Sequence, residues 1–181
     1  MNKQVQQFEK AALPHLNAAY NLARWLVRDE YVAEDMVQEA YIRALKYFAA
    51  FRGGEIRPWL LGIVRNTCYT WLQGNLHGEG ALEFDEDRDS GAYAAAFGST
   101  DNNPEAMLLS KQESSRVNFA ISSLPPIFRE VLVLRELEEL SYEEIATVAG
   151  IPAGTVMSRL ARARVMLRAE LNCPMIKEGE K

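Results

Sequence analysis

A small residue, a glycine four positions later and a ring of apolar residues restrict the segment from Ser141 to Leu171 to very few shapes. Ala146 and Gly150 hold that spacing, with Ile145, Ile151, Val156 and Leu160 around them. Two short helices that cross steeply need a small side chain where they touch and a residue tolerant of positive φ in the turn. The spacing therefore predicts a helix-turn-helix. Its start is signalled by Ser141-Tyr142-Glu143-Glu144, a capping box in which the serine oxygen accepts a backbone N–H and Glu144 reaches back. Ala149-Gly150-Ile151 reads as the turn, and the last helix runs from about Pro152 to Leu171. A plain helical hairpin shares part of this pattern, and charge separates the two. Thr155–Leu171 carries Arg159, Arg162, Arg164 and Arg168 against Glu170, whereas Glu130–Glu144 carries six acids against Arg135. A basic second helix behind an acidic first one suits the negatively charged groove of a duplex; a solvated, charge-alternating bundle helix is the bland alternative.

The rest of the chain also follows helical periods. Leu13, Leu16, Tyr20 and Ala23 recur at helical spacing ahead of Trp25-Leu26-Val27. Val32, Met36, Val37, Ala40, Tyr41, Ala44, Leu45 and Phe48 form a second stripe, which Phe51-Arg52-Gly53-Gly54 breaks. A third helix is expected from Arg57-Pro58, with Trp59, Leu60, Ile63, Val64, Cys68 and Trp71 inward and Gly74 at its end. Beyond Pro104, Leu108, Leu109, Val117 and Ile121 mark a helix; Leu124-Pro125-Pro126 interrupts it before Ile127, Phe128, Val131, Leu132 and Leu134. Strand alternation persists nowhere. The expected fold is all-α: two small helical domains, residues 8–74 and 105–171, joined by a flexible linker over 75–104 and followed by a tail at 172–181. Within the linker only Tyr93–Phe97 suggests a short helix.

Net charge of −5 looks wrong for a nucleic-acid binder until it is localised. Residues 1–77 carry nine basic and seven acidic side chains, 116–181 nine of each, and 78–115 two against nine. The acidity thus sits in the linker. His15, His77, Cys68 and Cys173 fall at no ligand spacing, so neither a metal nor a cofactor is expected. Cys68 reads as a buried thiol and Cys173 as one near a loose tail. No apolar run nears the ~20 residues that span a bilayer, and the first residues lack a signal-peptide core. The expectation is a cytoplasmic protein without membrane insertion. No nucleophile elbow, phosphate loop or paired catalytic carboxylates point to an enzyme.

Leu124-Pro125-Pro126-Ile127-Phe128-Arg129-Glu130-Val131, Leu140–Ala146 and Gly154-Thr155-Val156-Met157-Ser158-Arg159-Leu160-Ala161-Arg162-Ala163-Arg164 together resemble the promoter-reading C-terminal domain of bacterial sigma factors, in particular the two-domain extracytoplasmic-function (ECF) group. Ala33-Glu34-Asp35-Met36-Val37-Gln38-Glu39-Ala40-Tyr41 is similar to their core-polymerase-binding helix. Phe51-Arg52-Gly53-Gly54 and Trp59–Asn66 are similar to their −10-element loop and helix. Two matching blocks in order are far more specific than one helix-turn-helix.

The resemblance implies a subunit that directs core RNA polymerase, through its β and β′ subunits, to promoter DNA. Glu34, Asp35, Gln38, Glu39 and Arg43 would face the polymerase clamp helices; a plain solvated face has the same periodicity. Phe51, Arg52, Arg57, Ile63, Arg65 and Asn66 would hold the non-template −10 strand, Phe51 and Ile63 as walls for an extruded base, Asn66 at its edge, the arginines on phosphates. The plain alternative for Phe51 and Ile63 is ordinary core. Thr155, Met157, Ser158, Arg159, Ala161, Arg162 and Arg164 would form the −35-reading surface, with Met157, Ser158, Ala161 and Arg162 reaching bases, and Arg159 and Arg164 reaching phosphates. Met157 departs from the Lys or Arg that relatives often carry. An anti-sigma factor is an implied partner. The rival reading is another helix-turn-helix transcription regulator that is not a polymerase subunit, such as a response-regulator output domain; it lacks the α/β alternation of a receiver domain upstream.

Overall fold

The computed structural model describes residues 3–76 and 104–173, with side chains over 3–75 and 112–173. The expected linker, including the short helix at Tyr93–Phe97, lies outside these residues apart from its two ends, as does the tail beyond Cys173. Every regular element among the described residues is helical, the long ones being α1 (Lys3–Ala12), α2 (Leu16–Val27), α3 (Glu30–Tyr47), α4 (Ile56–Leu76), α5 (Pro104–Ser123), α6 (Pro126–Leu132), α7 (Tyr142–Ala149) and α8 (Ala153–Asn172). The all-α expectation holds for them.

Local chemistry sets the ends. Asp29 caps α3 by accepting the Val32 N–H at 2.9 Å from extended backbone. Gly53 and Gly54 carry the chain through the loop before α4 at φ of 91° and 102°. Ser141 and Glu144 complete the capping box of α7, and Gly150 ends that helix at φ 65°. Two expectations fail. Gly74 does not end α4, which runs on to Leu76; a glycine inside a helix costs about 1 kcal/mol and does not by itself stop it. Leu13 and Leu16 do not enter the core: a 3-10 turn at Leu13–His15 resets the helical phase and leaves them 53% and 42% exposed.

α2, α3 and α4 pack on one another, burying Leu22, Leu26, Met36, Val37, Ala40, Leu61 and Val64. α1 lies across the far end, where Phe8 meets Tyr41 and Phe48 edge-on and the Tyr41 hydroxyl donates to the Ala12 carbonyl at 3.0 Å. In the C-terminal half, Ile121, Leu124, Phe128, Leu132, Val133 and Ala163 close a smaller core. The halves are not independent. Val131, Leu134, Leu140, Ile145, Val148, Val156 and Leu160 join the same buried cluster as α2–α4, and Trp25 of α2 enters the smaller core. Periodicity predicted each inward face but not that the two sets of helices share them.

Cys68 sits fully inside the shared cluster, and burial pushes its thiol up to about 12, while Cys173 is exposed. Near neutral pH a thiol reagent should label Cys173 and react with Cys68 at least on the order of a hundredfold more slowly, because the thiolate is the reactive form. Comparable labelling rates for both thiols in the native protein, read by mass spectrometry, would contradict this burial.

Candidate nucleic-acid interface

α4 carries most of the candidate −10 residues, and a cleft opens where it meets α7. Pro58, Trp59, Gly62, Ile63, Arg65 and Asn66 line one wall, and Thr147 to Gly150 line the other. α7 comes close at Gly62, where a Cβ would make ordinary van der Waals contact with the Val148 carbonyl oxygen at 3.7 Å. Phe51 is half-buried beside this wall, its ring 4.9 Å from Trp59 and 6.4 Å from Phe48. Asn66 is exposed, its Oδ1 accepting from Arg65 at 3.4 Å. Arg52 is exposed on the loop before α4.

Arg57 and Arg65 are engaged with acids from the C-terminal half. Arg57 donates to Glu138 Oε2 at 3.0 Å and to the Glu138 carbonyl at 2.9 Å; Asn21 donates to the other Glu138 oxygen at 3.2 Å. Glu138 follows directly on a π-helical turn over Val133–Leu137 that continues α6. Arg65 grips Glu130 through Nε and a terminal nitrogen, and the Tyr69 hydroxyl donates to Glu130 Oε2 at 3.0 Å. The Arg65 guanidinium lies 4.4 Å from the Tyr69 ring centre. Burial pulls the Arg65 pKa down, but the hydrogen bond and charge of Glu130 outweigh it and hold the net value up. Burial, then the Glu130 charge, drives the Tyr69 phenol well above its usual range.

The α8 surface is built differently. Val156, Leu160 and Ala163 face the core, which turns Met157, Ser158, Ala161 and Arg162 outward; Thr155 and Arg159 are half-buried at the margins. The Ser158 hydroxyl donates to the Thr155 carbonyl at 3.0 Å. Arg164 pairs with Glu136 at 2.8 Å, and that hydrogen bond holds its pKa up. On α3, Glu34, Asp35, Gln38 and Glu39 form an exposed row, and Arg43 pairs with Glu39 one turn away.

Residues 12–75 match the family model for Sigma-70 region 2, and residues 115–167 match that for Sigma-70, region 4. The RNA polymerase sigma-H factor of Pseudomonas aeruginosa is 34% identical over 179 residues, covering 95% of this chain and 89% of that protein. The chain belongs to the sigma-70 family of sigma factors. Its relatives include the ECF RNA polymerase sigma-E factor of Escherichia coli K12, 39% identical over 135 residues, 72% of this chain and 69% of that one. The ECF RNA polymerase sigma factor SigE of Mycolicibacterium smegmatis is 34% identical over 170 residues, 88% of this chain; the match spans 63% of that relative's length. Among solved structures, the sigma factor RpoE in complex with the anti-sigma factor NepR from Bartonella quintana superposes with a TM-score of 0.70 at 25% identity, over 93% of this chain and 99% of that one. CnrH, in complex with the cytosolic domain of CnrY, shares the fold at a TM-score of 0.63 over 92% of this chain and 88% of its own.

Sequence reasoning missed several residues at this candidate site. Glu130 and Glu138 are the acids that meet Arg65 and Arg57. A signal existed for Glu130: it falls among Ile127, Phe128, Val131 and Leu134, so a carboxylate was bound inward and needed a cation. Tyr69, one turn from Arg65, carried the matching signal on α4. Trp59, expected inward, does pack half-buried against the core cluster of Phe8, Ala44 and Leu60, and it also shares the cleft wall with Phe51 nearby. Ile42, 71% exposed beyond Gln38 and Glu39, was also overlooked on the α3 face.

Proposed function

We infer that this sigma factor binds core RNA polymerase and gives it promoter specificity, with residues 8–74 as the polymerase and −10 unit and 105–171 as the −35 unit. The observation that carries the reading is the pairing of two family matches, in order, with an outward basic face on α8. Glu34, Asp35, Gln38, Glu39 and Arg43 contact the polymerase β′ side, while the C-terminal unit lies against β. Arg159 holds phosphates and Arg162 reads base edges in the −35 major groove. Arg164 serves chiefly to clip α8 to the turn before α7 through Glu136.

On the −10 element, Phe51, Trp59 and Ile63 wall a base pocket, Asn66 faces the base edge, and Arg52, Arg57 and Arg65 meet phosphates. Arg57 and Arg65 already hold carboxylates, so a DNA strand competes with Glu138 and Glu130 for the same guanidinium groups. Reading the −10 element therefore requires α4 to release Glu130 of α6 and Glu138 just beyond it. The factor acts by binding, not by catalysing a reaction, and needs no cofactor. An anti-sigma factor is its expected regulator, a reading supported by the solved relatives, which are complexes with such factors or with a cytosolic partner domain. No described helix is long and apolar enough to cross a membrane, in keeping with a cytoplasmic site of action.

Run-off transcription with purified core polymerase on a promoter library randomised at both elements tests this directly. Sequencing of the transcribed templates should return two conserved blocks at fixed spacing. Transcription no more selective than core polymerase alone would overturn the reading.

A further inference from the structure

We propose that Met157, with Ala161 one turn beyond it, reads the 5-methyl group of a thymine in the −35 element. The proposal rests on the reading that α8 enters the major groove.

The outer face of α8 carries an apolar strip that its core packing does not explain. Met157 is 55% exposed and Val165 64%, with exposed Ala161 between them at successive four-residue steps. The inner face is already filled by Val156, Leu160 and Ala163. The strip is bordered by the outward Ser158 and Arg162, with Arg159 half-buried beside it and Arg168 exposed further along. Four arginines against one glutamate between Thr155 and Leu171 make this a face for a polyanion rather than for an apolar protein knob.

The chemistry of the side chain narrows what it can recognise. Methionine has no N–H or O–H donor, and its thioether is at best a weak acceptor. It therefore cannot address guanine O6 and N7 or adenine N7, as an arginine or lysine would. On the major-groove edges of the four base pairs the one apolar group is the thymine methyl. A long, flexible thioether moulds itself to such a group, and the short Ala161 leaves room for the base pair to come close. The Ser158 hydroxyl donates to the Thr155 carbonyl, so toward a base edge it offers an acceptor. Arg162 is left as the neighbouring reader of a polar base edge. The expected −35 element thus places a thymine beside the base pair that Arg162 reads.

The test uses the holoenzyme and a promoter recovered from the randomised library. Each −35 thymine is replaced in turn by deoxyuridine, which lacks only the 5-methyl group, and the holoenzyme's Kd is measured. At one position the replacement should weaken wild-type binding about threefold to tenfold, the size expected when one methyl group loses its apolar contact. Met157→Ala should bind the thymine and deoxyuridine promoters equally at that position, and Met157→Leu should restore part of the preference. Equal wild-type affinity for thymine and deoxyuridine at every position overturns the proposal. So does full methyl sensitivity in Met157→Ala, or a Met157→Ala defect confined to polymerase or regulator binding. A wild-type holoenzyme with no −35 preference at all would instead overturn the underlying reading.

Discussion

Replacing Glu130 by alanine should part the two halves of this sigma factor. The Glu130 side chain is fully buried and accepts hydrogen bonds from Arg65 and Tyr69, which lie more than sixty residues away on α4. Its removal leaves a largely buried guanidinium without the carboxylate it pairs with. Breaking one partner of a buried pair costs about 3–5 kcal/mol; Arg65 keeps 18% of its side-chain exposure, which favours the lower end. Because the partners belong to different halves, the loss falls on the docking of α4 against α6 and α7 and spares each half's own helices. The radius of gyration from small-angle X-ray scattering should rise while helical circular dichroism is retained. Affinity for a single-stranded −10 oligonucleotide should also rise, since phosphates no longer compete with Glu130 for Arg65. Glu130→Gln, which keeps an acceptor for Tyr69 but loses the charge, should fall between. Unchanged scattering together with unchanged oligonucleotide affinity would count against a role for this pair in holding the halves together.

Arg162→Ala should reduce transcription from a −35-dependent promoter about tenfold to a hundredfold, the ~1–3 kcal/mol typical of a base-reading arginine. The loss should come with relaxed choice at one base pair, seen as a flattened column when the transcribed library is sequenced. Arg164→Ala offers the contrast. Its guanidinium pairs with Glu136 on the surface, an interaction worth about 0–1 kcal/mol. It should therefore cost less and leave base preference intact. An Arg162→Ala protein that transcribes the whole library with wild-type preference would remove Arg162 from the reading surface.

Much of α7 and α8 was legible because their signals are local. A capping box acts across three residues, Gly150 sets its own φ, and the alternation of Val156 and Leu160 with Met157 and Ala161 sorts one helix into two faces. The α3 row from Glu34 to Glu39 was readable for the same reason, since Met36, Val37 and Ala40 take the inner side. Legibility failed where phase changed or a signal was weak: the 3-10 turn at Leu13–His15 moved two leucines outward, and the last exposed turn of α4 runs through Gly74.

The sequence by itself determined the helix-turn-helix, its basic outer face and the odd apolar Met157 within it, because caps, turns and periodicity are settled within a few residues of one another. Only the tertiary structure decided that Arg57 and Arg65 would meet Glu138 and Glu130 and that both halves would share one core. Those partners are far apart in the chain, and no local rule pairs them. The buried carboxylate on α6 could have been satisfied by any cation that folding brought to it; packing α4 against α6 and α7 is what selected Arg65.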